Sequence, residues 1–265
     1  MSNIEMPLVL FSVLSQTAVG LVIINAGRNW AAEGPVGISR SQWGIVLAFL
    51  ITGMIASFFH LGHPLQAFTT LKHLSKAWLS WELLGITLFL CLALIGFFTG
   101  KDKKKSPVVF LAALVGLLTL VFMGMTYAPP GYPALNNALP LVFFLLTALL
   151  LGTSFSAWFT PAEKRPLLFR ILTVSLIVGL VVYLLVPCIW LSGGTVTMQT
   201  AWSWLSSPLY WGRVGIGLLL PLILLWRLKD IPLWLPVIIL IGELLGRAAF
   251  FKETVHAAAN IGGLY

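Results

Sequence analysis

Apolar residues along this chain run almost unbroken for about 20 positions at a time, then give way to a short polar break. Eight such runs cover approximately residues 7–26, 42–60, 81–99, 107–127, 138–159, 167–190, 209–226 and 232–252. About 20 helical residues cross the hydrocarbon core of a bilayer. A helix also satisfies its own backbone hydrogen bonds, which lipid demands. The pattern therefore predicts an all-α, polytopic integral membrane protein: one domain over residues 1–265 with eight transmembrane helices. The opening MSNIEM carries Glu5 and no Lys or Arg, so the first run lacks the basic region of a secretory signal and is expected to be a retained helix. One break has a period of its own. Over 65–80, Leu65, Phe68, Leu71, Leu74 and Trp78 recur at three- and four-residue spacing opposite Lys72, His73 and Lys76. This spacing predicts a short helix lying in the membrane interface, its lysines reaching water.

Composition agrees. The chain is 59% hydrophobic and 9% charged, against roughly 25% charged residues in soluble domains. The net charge of +8 does not indicate nucleic acid, because the basic residues lie in short breaks between apolar runs and form no basic face. Cys91 and Cys188 each sit inside an apolar run. Two cysteines make no disulfide framework, zinc site or iron–sulfur site, and they read as small packing residues.

Charge placement orients the helices. Arg28, Arg40, Lys101, Lys103, Lys104, Lys105, Lys164, Arg165, Arg170, Arg227 and Lys229 fall on one side, against Lys72, Lys76 and Lys252 on the other. A basic excess marks the cytoplasmic face. Both termini and the stretch 58–82 are therefore expected outside, in the periplasm, with the chain in a bacterial inner membrane. The outer breaks 128–137 and 192–208 carry no charge and include Tyr132, Trp202 and Trp204. They read either as docking surface or as an aromatic belt at the lipid interface. No internal repeat indicates the inverted symmetry of a transporter.

The stretch FFHLGHPLQAFTTLKHLSKAWLSWE (58–82) holds three of the four histidines and ends on Glu82. Ionisable groups at the ends of membrane helices are costly and mark functional candidates. His60 closes the second run and Glu82 opens the third, so a hairpin brings them together. An imidazole and a partly desolvated carboxyl both exchange protons near neutrality, which suits a lipid-soluble two-proton carrier such as a quinone. A packing hydrogen bond between two helix ends is the alternative account. His63 stands close enough to relay protons. In the last run GELLGR places Glu243 and Arg247 on one helical face, where they form a structural ion pair or line a cavity. Arg247 is a candidate for a second quinone oxygen. Gln16, near Ser12 and Ser15, is a candidate for the same site or for interhelical bonding. No metal or nucleotide motif is present, and the four histidines offer no haem path across the bilayer.

The motifs PLVLFSVLSQTAVGLVI (7–23), FHLGHP (59–64), LSWEL (79–83) and GELLGRAAFF (242–251), taken in order over nearly the whole chain, resemble the membrane-anchor subunit of dimethyl sulfoxide reductase, the DmsC family. The resemblance implies an integral subunit that carries no haem or metal. Such a subunit binds and oxidises menaquinol near the periplasmic face in anaerobic respiration. It passes the electrons to a four-cluster iron–sulfur subunit, which feeds a molybdopterin catalytic subunit. It implies His60 and Glu82 as the proton-handling pair of the quinol site. His63, Ala77 and Trp81 depart from the family's pattern. A quinone subunit of the polysulfide reductase/NrfD type is a sister reading, and a secondary transporter is the reading from a different class.

Overall fold

The computed structural model describes residues 5–30, 38–59, 77–99 and 107–258. Each apolar run forms a helix: α1 (Met6–Trp30), α2 (Arg40–Phe58), α3 (Trp78–Thr99), α4 (Pro107–Thr126), α5 (Leu139–Ser156) and α6 (Pro166–Leu191). Next come α7 (Thr195–Ser206) and a long span built from α8 (Pro208–Val214), a π-helical turn (Gly215–Leu219) and α9 (Leu220–Leu228). The last helix is α10 (Leu235–Glu253). No strand occurs among the described residues. The helices begin where the backbone allows it. Ser39 caps α2 in a reciprocal box with Gln42, and Pro166 and Pro208 stand in first turns, where a missing N–H costs nothing.

Among the described residues, seven segments are long and apolar enough to cross a membrane. The eighth expected span appears as α10, set apart by Glu243, Arg247, Lys252 and Glu253 within it. The segment 192–208 is not simply a loop: residues 195–206 are helical. Trp204 is the reason. It is fully buried among Trp190, Tyr210 and Phe143, at centroid distances of 4.9, 5.9 and 5.9 Å, and Ser203 and Ser207 donate to Glu253 at 2.9 and 3.0 Å. Trp202 stays exposed. The interface helix expected over 65–80 lies outside the described residues up to 76, and Trp78 begins α3.

Cross-helix contacts fix an up-and-down bundle with two distinct ends. At one end Arg28 of α1 donates to Thr160 (2.8 Å), the Trp158 indole donates to the Leu233 carbonyl (2.6 Å), and Arg165 pairs with Asp230 (3.3 Å). At the other, Trp190 donates to the Ala134 carbonyl (3.1 Å), and Ser207 reaches Glu253. Helices α1 and α5 form the centre, each 72% buried along its span. They cross backbone to backbone at Gly20 and Gly152, where an added Cβ would enter the neighbouring main chain. Small residues at such crossings are how membrane helices gain contact without a hydrophobic drive. The outer helices turn apolar faces outward, for example Val174, Val181, Leu185 and Ile189 of α6. In water such faces would be a liability; here they are the surface that meets lipid. Cys91 and Cys188 are free and exposed there, so they face outward and do not pack in the core.

Candidate functional site

Two polar assemblies hold the buried acids Glu243 and Glu82. The first joins α1, α5, α8 and α10. Glu243 forms an ion pair with Arg213 across helices at 2.6 Å, and its other oxygen lies 2.7 Å from the Thr147 hydroxyl. Arg247 donates from one nitrogen to Gln16 (2.7 Å) and to Thr147 (3.0 Å). Its guanidinium lies 4.1 Å over the Phe144 ring, and that of Arg213 lies 4.8 Å over Tyr183. All five polar side chains are buried. Arg213 pairs directly with the carboxylate and Arg247 reaches it only through the Thr147 hydroxyl, while aromatic faces lie under both guanidinium groups. The π-helical turn and three glycines allow this approach. Cβ atoms at Gly217 and Gly242 would collide with each other's backbone, and a Cβ at Gly246 would meet the Arg213 side chain at 2.8 Å. Sequence spacing pairs Glu243 with Arg247; the structure gives Glu243 to Arg213 and turns Arg247 toward Gln16. Ser12 and Ser15 bond their own helix backbone.

The second assembly lies at the end shared by the start of α3 and the finish of α4. Glu82 belongs to the buried stripe of α3, with Gly85, Ile86, Phe89, Ala93 and Gly96. Trp78 and Trp81 are exposed; Trp78 stacks on Phe122 of α4 at 6.4 Å and Trp81 lies tilted against it at 5.5 Å. Gly85 lets α4 come close, since a Cβ there would meet the Thr119 hydroxyl at 2.6 Å. One consequence is that Thr126, two turns further along α4, hydrogen-bonds Glu82. The other carboxyl oxygen, Oε2, is buried and has no hydrogen-bond partner among the described residues. No basic side chain among them forms an ion pair with it. A buried carboxyl oxygen without a partner costs roughly 1–3 kcal/mol.

Beside it opens a cavity of about 200 Å³ between α1, α4 and α10. Its wall includes Glu5, Thr126, Tyr127, Tyr132, Phe250, Phe251 and Thr254. Tyr127 is held by ring edges of Phe144 (5.6 Å) and Phe251 (5.4 Å) and lies within electrostatic reach of Glu82 and Arg247. His256 is clamped at the rim, 4.8 Å edge-on to Tyr132, by the Ala257 N–H donating to the Gly131 carbonyl at 2.8 Å. Glu82 therefore stands behind the cavity wall, while Gln16, Glu243 and Arg247 belong to the interior network and are not on that wall. His60 and His63 lie outside the described residues, as does their spacing to Glu82. Sequence reasoning does not single out Thr126, Tyr127, Thr147 or Arg213 as site residues. The only signal for them is polarity within an apolar run.

A multi-span membrane protein, helical throughout its described residues, with buried charges held inside and a carboxyl beside a cavity at one end, is the class this architecture defines. The chain belongs to the DMSO reductase anchor subunit family (DmsC), whose family profile matches residues 1–252. Over 200 residues it is 33% identical to the C subunit of the anaerobic dimethyl sulfoxide reductase of Haemophilus influenzae, covering 68% of this protein and 69% of that one. Over 161 residues it is 30% identical to the anaerobic dimethyl sulfoxide reductase subunit YnfH of Escherichia coli K12, covering 58% of this protein and 56% of that one.

Proposed function

We propose that the chain anchors a dimethyl sulfoxide reductase-type complex in the bacterial inner membrane and oxidises menaquinol beside Glu82. In this reading all eight apolar runs span the membrane, α10 included, with its charges neutralised or stacked inside the bundle. The end bearing Arg28, Arg40, Arg165 and Lys229 faces the cytoplasm, and the Glu82 end faces the periplasm.

The observation that carries the proposal is the buried Glu82 carboxyl, half-bonded to Thr126, behind a cavity of about 200 Å³ walled by aromatic rings. Quinol oxidation releases two protons and two electrons. Glu82 as the carboxylate takes one proton on its free oxygen, neutral His60 is proposed to take the other, and both are passed outward, with His63 beside them. Arg247, fixed by Gln16 and Thr147 and set against Glu243, supplies positive potential behind Tyr127 and favours the developing quinol anion. The electrons leave to an iron–sulfur partner docked at the same end, and from it to a molybdopterin subunit.

The test is Glu82→Gln and His60→Ala in membranes carrying the assembled complex. Both are expected to lose at least about tenfold in quinol-driven reduction of dimethyl sulfoxide, the scale of a lost proton-transfer group, while a soluble viologen dye still drives the catalytic subunit. Unchanged quinol-driven turnover in both variants removes the site.

A further inference from the structure

We infer that Tyr127 supplies the hydrogen bond that holds an oxygen of the quinol ring in this cavity, with its hydroxyl as the substrate-facing donor on the Glu82 side. The inference rests on the quinol reading above and adds a residue to it.

The donors around the cavity divide into occupied and unoccupied. Of the hydroxyls on the wall, Thr254 donates to the Phe250 carbonyl at 2.7 Å. Thr126 is 2.9 Å from the Phe122 carbonyl and also bonded to Glu82. Arg247 donates to Gln16 and Thr147 from one nitrogen, leaves its other two unbonded among the described residues and lies over Phe144, but it stands behind the wall and not on it. Tyr127 differs. Its backbone N–H closes the last turn of α4 on Met123 (3.1 Å), and its ring is wedged among Phe144, Phe250 and Phe251 at 5.6, 6.5 and 5.4 Å. Yet its hydroxyl makes no hydrogen bond among the described residues. A donor fixed in direction by packing and left unbonded is preorganised for a ligand oxygen. Tyr132, the other tyrosine on the wall, sits at the rim against exposed His256. Tyr127 is the one in reach of both Glu82 and Arg247.

The cavity also limits what is held. A volume of about 200 Å³ bounded by Tyr127, Phe250 and Phe251 accepts one flat aromatic head group stacked between ring edges. An isoprenoid tail must remain outside it in lipid.

The experiment is Tyr127→Phe in membranes carrying the whole complex, assayed with a short-chain naphthoquinol against dimethyl sulfoxide. Loss of one neutral hydrogen bond should raise KM about fivefold, with viologen-driven turnover and thermal midpoint unchanged. Installing 3,5-difluorotyrosine at 127, which keeps the ring and strengthens the donor, should lower KM. Glu82→Gln is run alongside. If it loses quinol turnover while both Tyr127 variants keep KM within about twofold of the parent, less than one hydrogen bond is worth, the assignment of Tyr127 is overturned and the quinol site stands. If Glu82→Gln is also unaffected, both fall.

Discussion

The interior network around Glu243 and the carboxyl at Glu82 are both buried acids in one bundle, and they are treated in opposite ways. Glu243 is enclosed by Arg213, Thr147 and, through that hydroxyl, Arg247, with two glycine contacts bringing α8 and α10 together around it. Glu82 has one threonine and a bare oxygen beside open space. Burying a charge without compensation is expensive. The network answers the Glu243 charge with the Arg213 ion pair and the Thr147 hydroxyl, although nitrogens of Arg213, Arg247 and Gln16 stay without hydrogen-bond partners among the described residues. At Glu82 no cation among the described residues answers the carboxyl, the arrangement expected if the group serves the proposed proton transfer.

Substitutions separate the two most sharply at the network. Glu243→Ala leaves two buried guanidinium groups facing each other without a carboxylate. It should destabilise the protein by about 3–5 kcal/mol, read as loss of accumulation and a lower thermal midpoint in detergent. The double change Arg213→Met with Glu243→Leu should recover much of that loss, because neither charge is then stranded. A double variant no better than Glu243→Ala would mean that the pair matters for more than charge balance.

How much of this is visible in the sequence follows from the same contrast. Helix positions are legible because lipid imposes length: run 167–190 appears as Pro166–Leu191 and run 107–127 as Pro107–Thr126. Glu82 stands out in the sequence because it is a carboxylate at the edge of an apolar run, and the structure buries it. The partner of Glu243 is not, because local spacing offers Arg247 one turn away. A tertiary contact with Arg213 wins instead, through a π-helical turn that no periodicity announces. Helix α7 is hidden for another reason: its polar, uncharged sequence carries little signal until Trp204 finds its aromatic pocket. Thr126 and Tyr127 close α4 and read as ordinary helix-end residues until the cavity is seen.

A smaller effect tests the crossings that hold the network together. Gly217→Ala places a methyl against the Gly242 backbone at 2.7 Å and the Arg213 guanidinium at 2.9 Å. Overpacking of this kind should cost about 1–3 kcal/mol, seen as a lower thermal midpoint with quinol KM unchanged. Smaller again, and opposite in sign, is Glu82→Leu. Removing a half-satisfied buried carboxyl should raise stability by about 1–2 kcal/mol while quinol turnover disappears. A destabilised Glu82→Leu protein would place Glu82 with Glu243 as a structural acid and erase the contrast. The weakest effect is at the other end of the bundle. The Arg165–Asp230 pair is half-exposed on the aspartate side, so Asp230→Asn should change stability by less than about 1 kcal/mol, with the thermal midpoint barely moved.

The most direct measurement is photolabelling of the assembled complex with an azido-naphthoquinone, followed by peptide mapping. Label is expected on the segments 126–135 and 250–254, competed away by excess naphthoquinol and reduced in Tyr127→Phe. Competable label confined to other helices, with these two segments clean, would contradict a quinol site beside Glu82.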